Sequence, residues 1–181
     1  MPEPRWALGG LYKFVFLHLE PVSTITPAVV AFLSPGSTWF YNQLVPDLPP
    51  VPDSGVDIRA RMAVIQLANC YMLLGLISSF VFRAIRDSLP HNLIAQEKII
   101  KATLIALAIA DVTHVLGTFV VLPSHVAYTP GTWNATTHGN ITFTLFLFLT
   151  RVAWMLKIGR GKVAEHQKLL CPHVLSLRRI D

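Results

Sequence analysis

Residues 99–122 read IIKATLIALAIADVTHVLGTFVVL. At 1.5 Å per helical residue the stretch spans about 36 Å, more than the roughly 30 Å hydrocarbon core of a bilayer. Its only ionisable side chains are Lys101 at one end and Asp111 and His114 further in. In lipid a single segment can satisfy its own backbone hydrogen bonds only as a helix. Three further apolar stretches of spanning length lie at about 8–33, 62–82 and 141–158. The expected fold is all-α: one integral membrane domain over residues 1–181, built as a four-helix bundle.

Composition points the same way. Of the 181 residues 52% are hydrophobic and 14% charged, with a mean hydropathy of +0.51. Water-soluble domains carry about a quarter charged residues. The net charge of +5 comes from basic residues set between apolar runs and not along one face. That pattern speaks against a nucleic-acid surface and for membrane anchors. With two cysteines, Cys70 in the second segment and Cys171 in the tail, a disulfide-stapled fold is excluded. Cys171 reads as a free thiol, or alternatively as an acyl carrier. The first segment is not read as a signal peptide, because Lys13, His18 and Glu20 interrupt it and no small-residue cleavage site follows.

Loop charges set the expected orientation. Arg83, Arg86 and Lys98 lie between the second and third segments, with Lys101 in the first turn of the third, and residues 159–181 form a basic tail. The stretch 128–140 has no Lys or Arg, and the loop 34–61 carries Asp47, Asp53 and Asp57, with Arg59 and Arg61 at its end. The positive-inside rule then places both termini in the cytosol and the other two loops in a lumen, that of the endoplasmic reticulum. Pro46, Pro49, Pro50 and Pro52 predict an extended, non-helical cap there. The tail is expected to lie along the cytosolic surface. Two N-x-T sequons, at Asn134 and Asn140, fall on the luminal side close to a helix start, which disfavours glycosylation.

The informative residues are polar ones at membrane depth, since an ionisable group there costs about 2.5–3.5 kcal/mol even on mild scales. Glu20 is followed by Pro21 and Pro27; Gln66, Asn69 and Tyr71 occupy the second segment; Asp111 and His114 share a face of the third; Arg151 sits in the fourth. From assumed helix ends, Glu20 and Asp111 lie about 18 Å in from the cytosolic side, and Asn69 and Arg151 roughly 11 and 15 Å in from the lumen. Their shared level predicts one buried polar site. Two carboxylates, a histidine and an arginine form an acid–base set in which one carboxyl keeps a proton while the other is ionised. Each residue also has a plainer reading. Arg151 with a carboxylate makes a structural ion pair, Asp111 and His114 a packing contact, His18 an interfacial histidine, and Gln66 and Asn69 interhelical glue. Trp133, followed by Asn134, is either an interfacial anchor or a lid. No metal-ligand spacing and no cofactor-binding loop is found, so neither metal nor cofactor is expected.

The motifs Leu19-Glu20-Pro21, Gln66-Leu67-Ala68-Asn69-Cys70-Tyr71, Asp111-Val112-Thr113-His114, Trp133-Asn134, Gly139-Asn140 and Arg151 together resemble a family of small fungal four-helix membrane proteins. Similar small hydrophobic proteins include the epoxide hydrolase/cyclase enzymes of aurovertin- and citreoviridin-type polyketide pathways. The resemblance implies a cofactor-independent enzyme that opens epoxides on a lipophilic polyketide or terpenoid in secondary metabolism. Glu20, Asp111 and His114 would be its acid–base residues; Asn69, Tyr71, Gln66, Arg151, Trp133 and Asn134 would position substrate or water. Partners would be a lipophilic small molecule and the bilayer, with a homo-oligomer as a further option. The rival readings are a sterol-type double-bond isomerase and a non-catalytic lipid-binding or structural membrane protein.

Overall fold

A computed structural model describes residues 6–160; the basic tail from 161 onward, with Cys171, lies outside the described residues. Every regular element among the described residues is helical. Helix α1 runs Gly10–Phe32, α2 Ser37–Gln43, α3 Ile58–Ser88, α4 Leu93–Val121 and α5 Ser124–Ala127. A last helical segment, α6, covers 135–155. Helices α1, α3 and α4 are long and apolar enough to cross a membrane. Segment α6 is interrupted by a π turn at Gly139–Phe143, which leaves its regular part at Thr144–Met155.

Local chemistry explains the ends. The Asp57 carboxylate accepts from the Arg59 and Ala60 amides and starts α3. Asn92 Oδ1 accepts from the Ala95 amide and starts α4, and Asn134 Oδ1 accepts from the Thr137 amide and starts α6. Such caps satisfy amides that have no partner in the first turn. The expected helix-free cap needs correction: Ser37–Gln43 is helical, because no proline falls between Pro35 and Pro46 and Phe40 has a core to enter. Gly36, at φ 103°, makes the turn into it. The Pro-rich remainder is clamped by Asn42, whose amide accepts from the Val51 N–H and donates to the Val51 carbonyl.

The bundle has a closed base and a divided upper half. At the base, Tyr12 and Phe16 of α1, Phe82 of α3, Ile100 of α4, and Leu147 and Trp154 of α6 share one core. Further up, α1 runs along α3, and α4 along α6, and each pair has its own core. Ala28 and Ala31 pack with Phe40, Val64 and Ala68 in one. Val115, Leu122, Val126 and Ile141 form the other. The base is the basic end: it holds the α3–α4 turn and the C-terminus of α6, where Arg160 stacks on Trp154 at 4.2 Å and pairs with Glu97. The opposite end carries the loops with Asp47, Asp53 and Asp57. The outer faces remain apolar, with Val22, Phe80, Ile94, Val120 and Leu149 all exposed, as a lipid-facing surface requires.

Helices α1 and α3 approach closely at Gly75. A Cβ there would stand 2.6 Å from Ile25 Cγ1 and 2.7 Å from Thr24 Oγ1. Gly75→Val should therefore force the pair apart and lower stability by about 1–3 kcal/mol, measured as a leftward shift of the SDS-unfolding curve in mixed micelles.

Candidate functional site

Where the base ends and the two pairs diverge, one charged group from each of three helices meets a hydroxyl from the fourth. Arg151 of α6 donates through Nη1 and Nη2 to both oxygens of Glu20 on α1, at 3.0 and 3.1 Å. Its Nε donates to Asp111 Oδ2 of α4 at 2.7 Å. Ser78 Oγ of α3 donates to Glu20 Oε1 at 3.0 Å. The guanidinium carbon also lies 5.6 Å from the Phe16 ring centre. Relative exposures are 1% for Arg151, 2% for Glu20 and 9% for Asp111. Two carboxylates face one guanidinium, so the fully ionised cluster carries one negative charge in excess. It is neutral when one carboxyl keeps a proton. Glu20 has both oxygens engaged, whereas Asp111 Oδ1 has no hydrogen-bond partner among the described residues.

Two π turns help to place these groups. One, at Val15–Leu19, immediately precedes Glu20. Pro21 follows at a position where its missing N–H interrupts the α-helical ladder. The other, Gly139–Phe143, carries Asn140. Wide turns of this kind occur often at functional sites because they shift the register of everything beyond them.

Above the cluster lies a cavity of about 620 Å³ between the two helix pairs. Its wall is mostly apolar and includes Pro27, Phe40, Phe143 and Leu147. Threonine and serine hydroxyls interrupt it, and on one side a cluster of larger polar groups meets. Tyr71 Oη donates to Asn140 Oδ1 at 3.2 Å, and His114 Nε2 lies 3.3 Å from the same oxygen. An amide oxygen only accepts, so this contact places a proton on His114 Nε2. Three helices thus meet at one oxygen atom. His138 also lines the cavity; its Nδ1 lies 3.0 Å from Thr142 Oγ1, and its ring stands edge-on to Trp133 at 5.3 Å.

The residues expected from sequence therefore fall into three places. Glu20, Asp111 and Arg151 come together as their common depth predicts, but as a buried ion cluster and not on the cavity wall. His114 and Tyr71 do line the cavity. The other four do not reach it. Gln66 and Asn69 are exposed on the outer face of α3, so their expected place beside substrate is corrected. Helix α3 begins a turn earlier than the hydropathy run, and Ser78, about 14 Å further along, meets Glu20 instead. Trp133 donates to the Val126 carbonyl, and Asn134 Nδ2 donates to the Gln43 carbonyl at 2.9 Å. Both hold the loops together, beside the His125–Asp47 contact at 3.4 Å. Asn140 and Ser78 join the site without having been expected there. Their signals in the sequence are faint: a glycine before Asn140 and a small hydroxyl one turn from Gly75.

Residues 6–160 match the family described as Domain of unknown function (DUF7704). The chain belongs to the DUF7704 family. The matched span takes in α1 to α6 and every residue of the ion cluster and the polar spot. No curated protein and no solved structure matches the chain. Among the described residues of this DUF7704 chain, no group of three metal-ligating side chains comes together.

Two outcomes follow for the site. Arg151→Leu strands two carboxylates and should lower stability by about 3–5 kcal/mol. Adding Glu20→Gln and Asp111→Asn in the same chain should restore most of the loss, again read by unfolding in micelles. Both sequons should stay unmodified, since Asn134 Nδ2 is engaged at Gln43 and Asn140 lies in the cavity wall; treatment with an endoglycosidase should leave gel mobility unchanged.

Proposed function

We propose that this chain is a cofactor-independent epoxide hydrolase/cyclase of the membrane, acting on a lipophilic small molecule held between its two helix pairs. In this reading α6 is a fourth membrane span, the basic base faces the cytosol, and the membrane is that of the endoplasmic reticulum. The observation that carries the reading is the convergence of Tyr71 Oη and His114 Nε2 on one oxygen in the wall of the cavity. Two donors aimed at one point are what a strained ether oxygen needs as its C–O bond breaks. A cavity at membrane depth suits a substrate that dissolves in the same phase.

The chemistry needs only proton transfer. An epoxide oxygen beside Asn140 takes hydrogen bonds from Tyr71 and His114, and receives a proton from His114 as the ring C–O bond breaks. Water, or a hydroxyl of the substrate itself, attacks the ring carbon and forms the new C–O bond. The proton it loses returns to the His114–Asp111 side. Asp111 lies one turn from His114 on α4 and has an oxygen to spare, so it serves as the proton reserve. Glu20 and Arg151 are positioning residues: they fix Asp111 and the splay of the helices. Hydrolysis adds one water to the substrate and cyclisation adds nothing, so neither needs an oxidant or a cofactor. The resemblance of the sequence motifs to small fungal four-helix membrane proteins, which are similar to the cyclases, supports the same choice.

The test is incubation of microsomes carrying the protein with polyene epoxides in oxygen-18 water, followed by mass spectrometry. Wild type should yield a labelled diol or an unlabelled cyclic ether, and Tyr71→Phe or His114→Gln should lower the rate by about a hundredfold or more. Equal conversion by all three proteins would end the proposal. Retention of a lipophilic probe without turnover would favour a lipid-binding role, and solvent deuterium on substrate carbon an isomerase.

A further inference from the structure

The outer face of α3 holds two amides that the bundle does not use. Gln66 and Asn69 are both exposed, and so is Cys70 beside them. The amide of Asn69 has no hydrogen-bond partner among the described residues, and Gln66 Nε2 reaches only Met62 Sδ at 4.0 Å. Along the same face run Met62, Leu73 and Phe80, all exposed. Asn69 lies about 12 Å along the helix axis from Arg61 and about 21 Å from Arg83, the basic residues that bracket the apolar part of α3. That places its amide within the hydrocarbon layer, where an unpaired polar group is costly and interhelical hydrogen bonds are the usual remedy.

We propose that this face of α3 is a self-association surface, on which Asn69 and Gln66 pair with the same residues of a second copy. The occupant follows from depth and chemistry. Two copies inserted the same way are related by a two-fold axis along the membrane normal, so each presents Asn69 at one level to the other. An amide both donates and accepts and so complements itself. Ala63 and Cys70, also exposed on α3, are small enough to let the backbones approach at the amides. Pairing through α3 leaves the cavity free, since the cavity is walled by the inner sides of the helices.

The test uses full-length Cys171→Ser protein, half labelled with donor and half with acceptor fluorophore, reconstituted in phosphatidylcholine vesicles. Energy transfer should show dimers, and a membrane-permeant oxidant should link them through Cys70 into a species of twice 20.1 kDa. Asn69→Val with Gln66→Leu should weaken the dimer roughly tenfold and remove the link. A control chain with Ile109→Cys, Cys70→Ser and Cys171→Ser samples random collision from the exposed face of α4 and should not link. Absence of energy transfer in wild type overturns the proposal, as does a dimer equally strong without the amides. Linking of the control chain as efficient as linking through Cys70 overturns it too.

Discussion

A guanidinium buried in a low-dielectric interior must be neutralised where it stands, and the architecture depends on how Arg151 meets that requirement. It binds Glu20 with two donors and Asp111 with the third, while Ser78 supports Glu20 from α3. One charge therefore ties together helices far apart in the sequence. A buried ion cluster is a poor source of net stability, because desolvation offsets most of the Coulomb attraction. It is a strong source of specificity, since any other rotation of these helices would strand a charge. The apolar cores tolerate small sliding motions; the cluster does not.

The position of that knot also explains the cavity. Below it the helices share a core of large side chains, Phe16, Phe82 and Trp154 among them. Above it each pair closes on its own core, Ala28, Ala31 and Ala68 with Phe40 and Val64 on one side and Val115, Leu122, Val126 and Ile141 on the other. The two cores are separate, and the space between the pairs stays open as the cavity. Polarity gathers at the spot where Tyr71 and His114 share Asn140 Oδ1.

Much of this could be read from the sequence, and the limits are physical. Depth is linear in residue number, so the common level of Glu20, Asp111 and Arg151 was legible from hydropathy alone. Azimuth was not. Around α1 and α6 it depends on π turns at 15–19 and 139–143, which no hydropathy pattern announces. Around α3 it depends on which residues fit the contact at Gly75. Asn69 thus faces outward and lies about 14 Å along α3 from the level of the cluster, and Ser78 supplies the α3 contact. The Pro-rich loop departs from its composition for a simpler reason: its breakers lie at Pro35–Gly36 and from Pro46 onward, and the seven residues Ser37–Gln43 between them are free to be helical.

The order of the helices along the chain gives the ion cluster a role during synthesis. Glu20 and Asp111 are made first, and the guanidinium that neutralises them arrives on α6. Until α6 is in place, α1 and α4 carry unmatched carboxyl groups. Such residues are costly in lipid. Arg151 comes last in the chain and matches both, so the contact that fixes the fold can form only once α6 has joined the bundle.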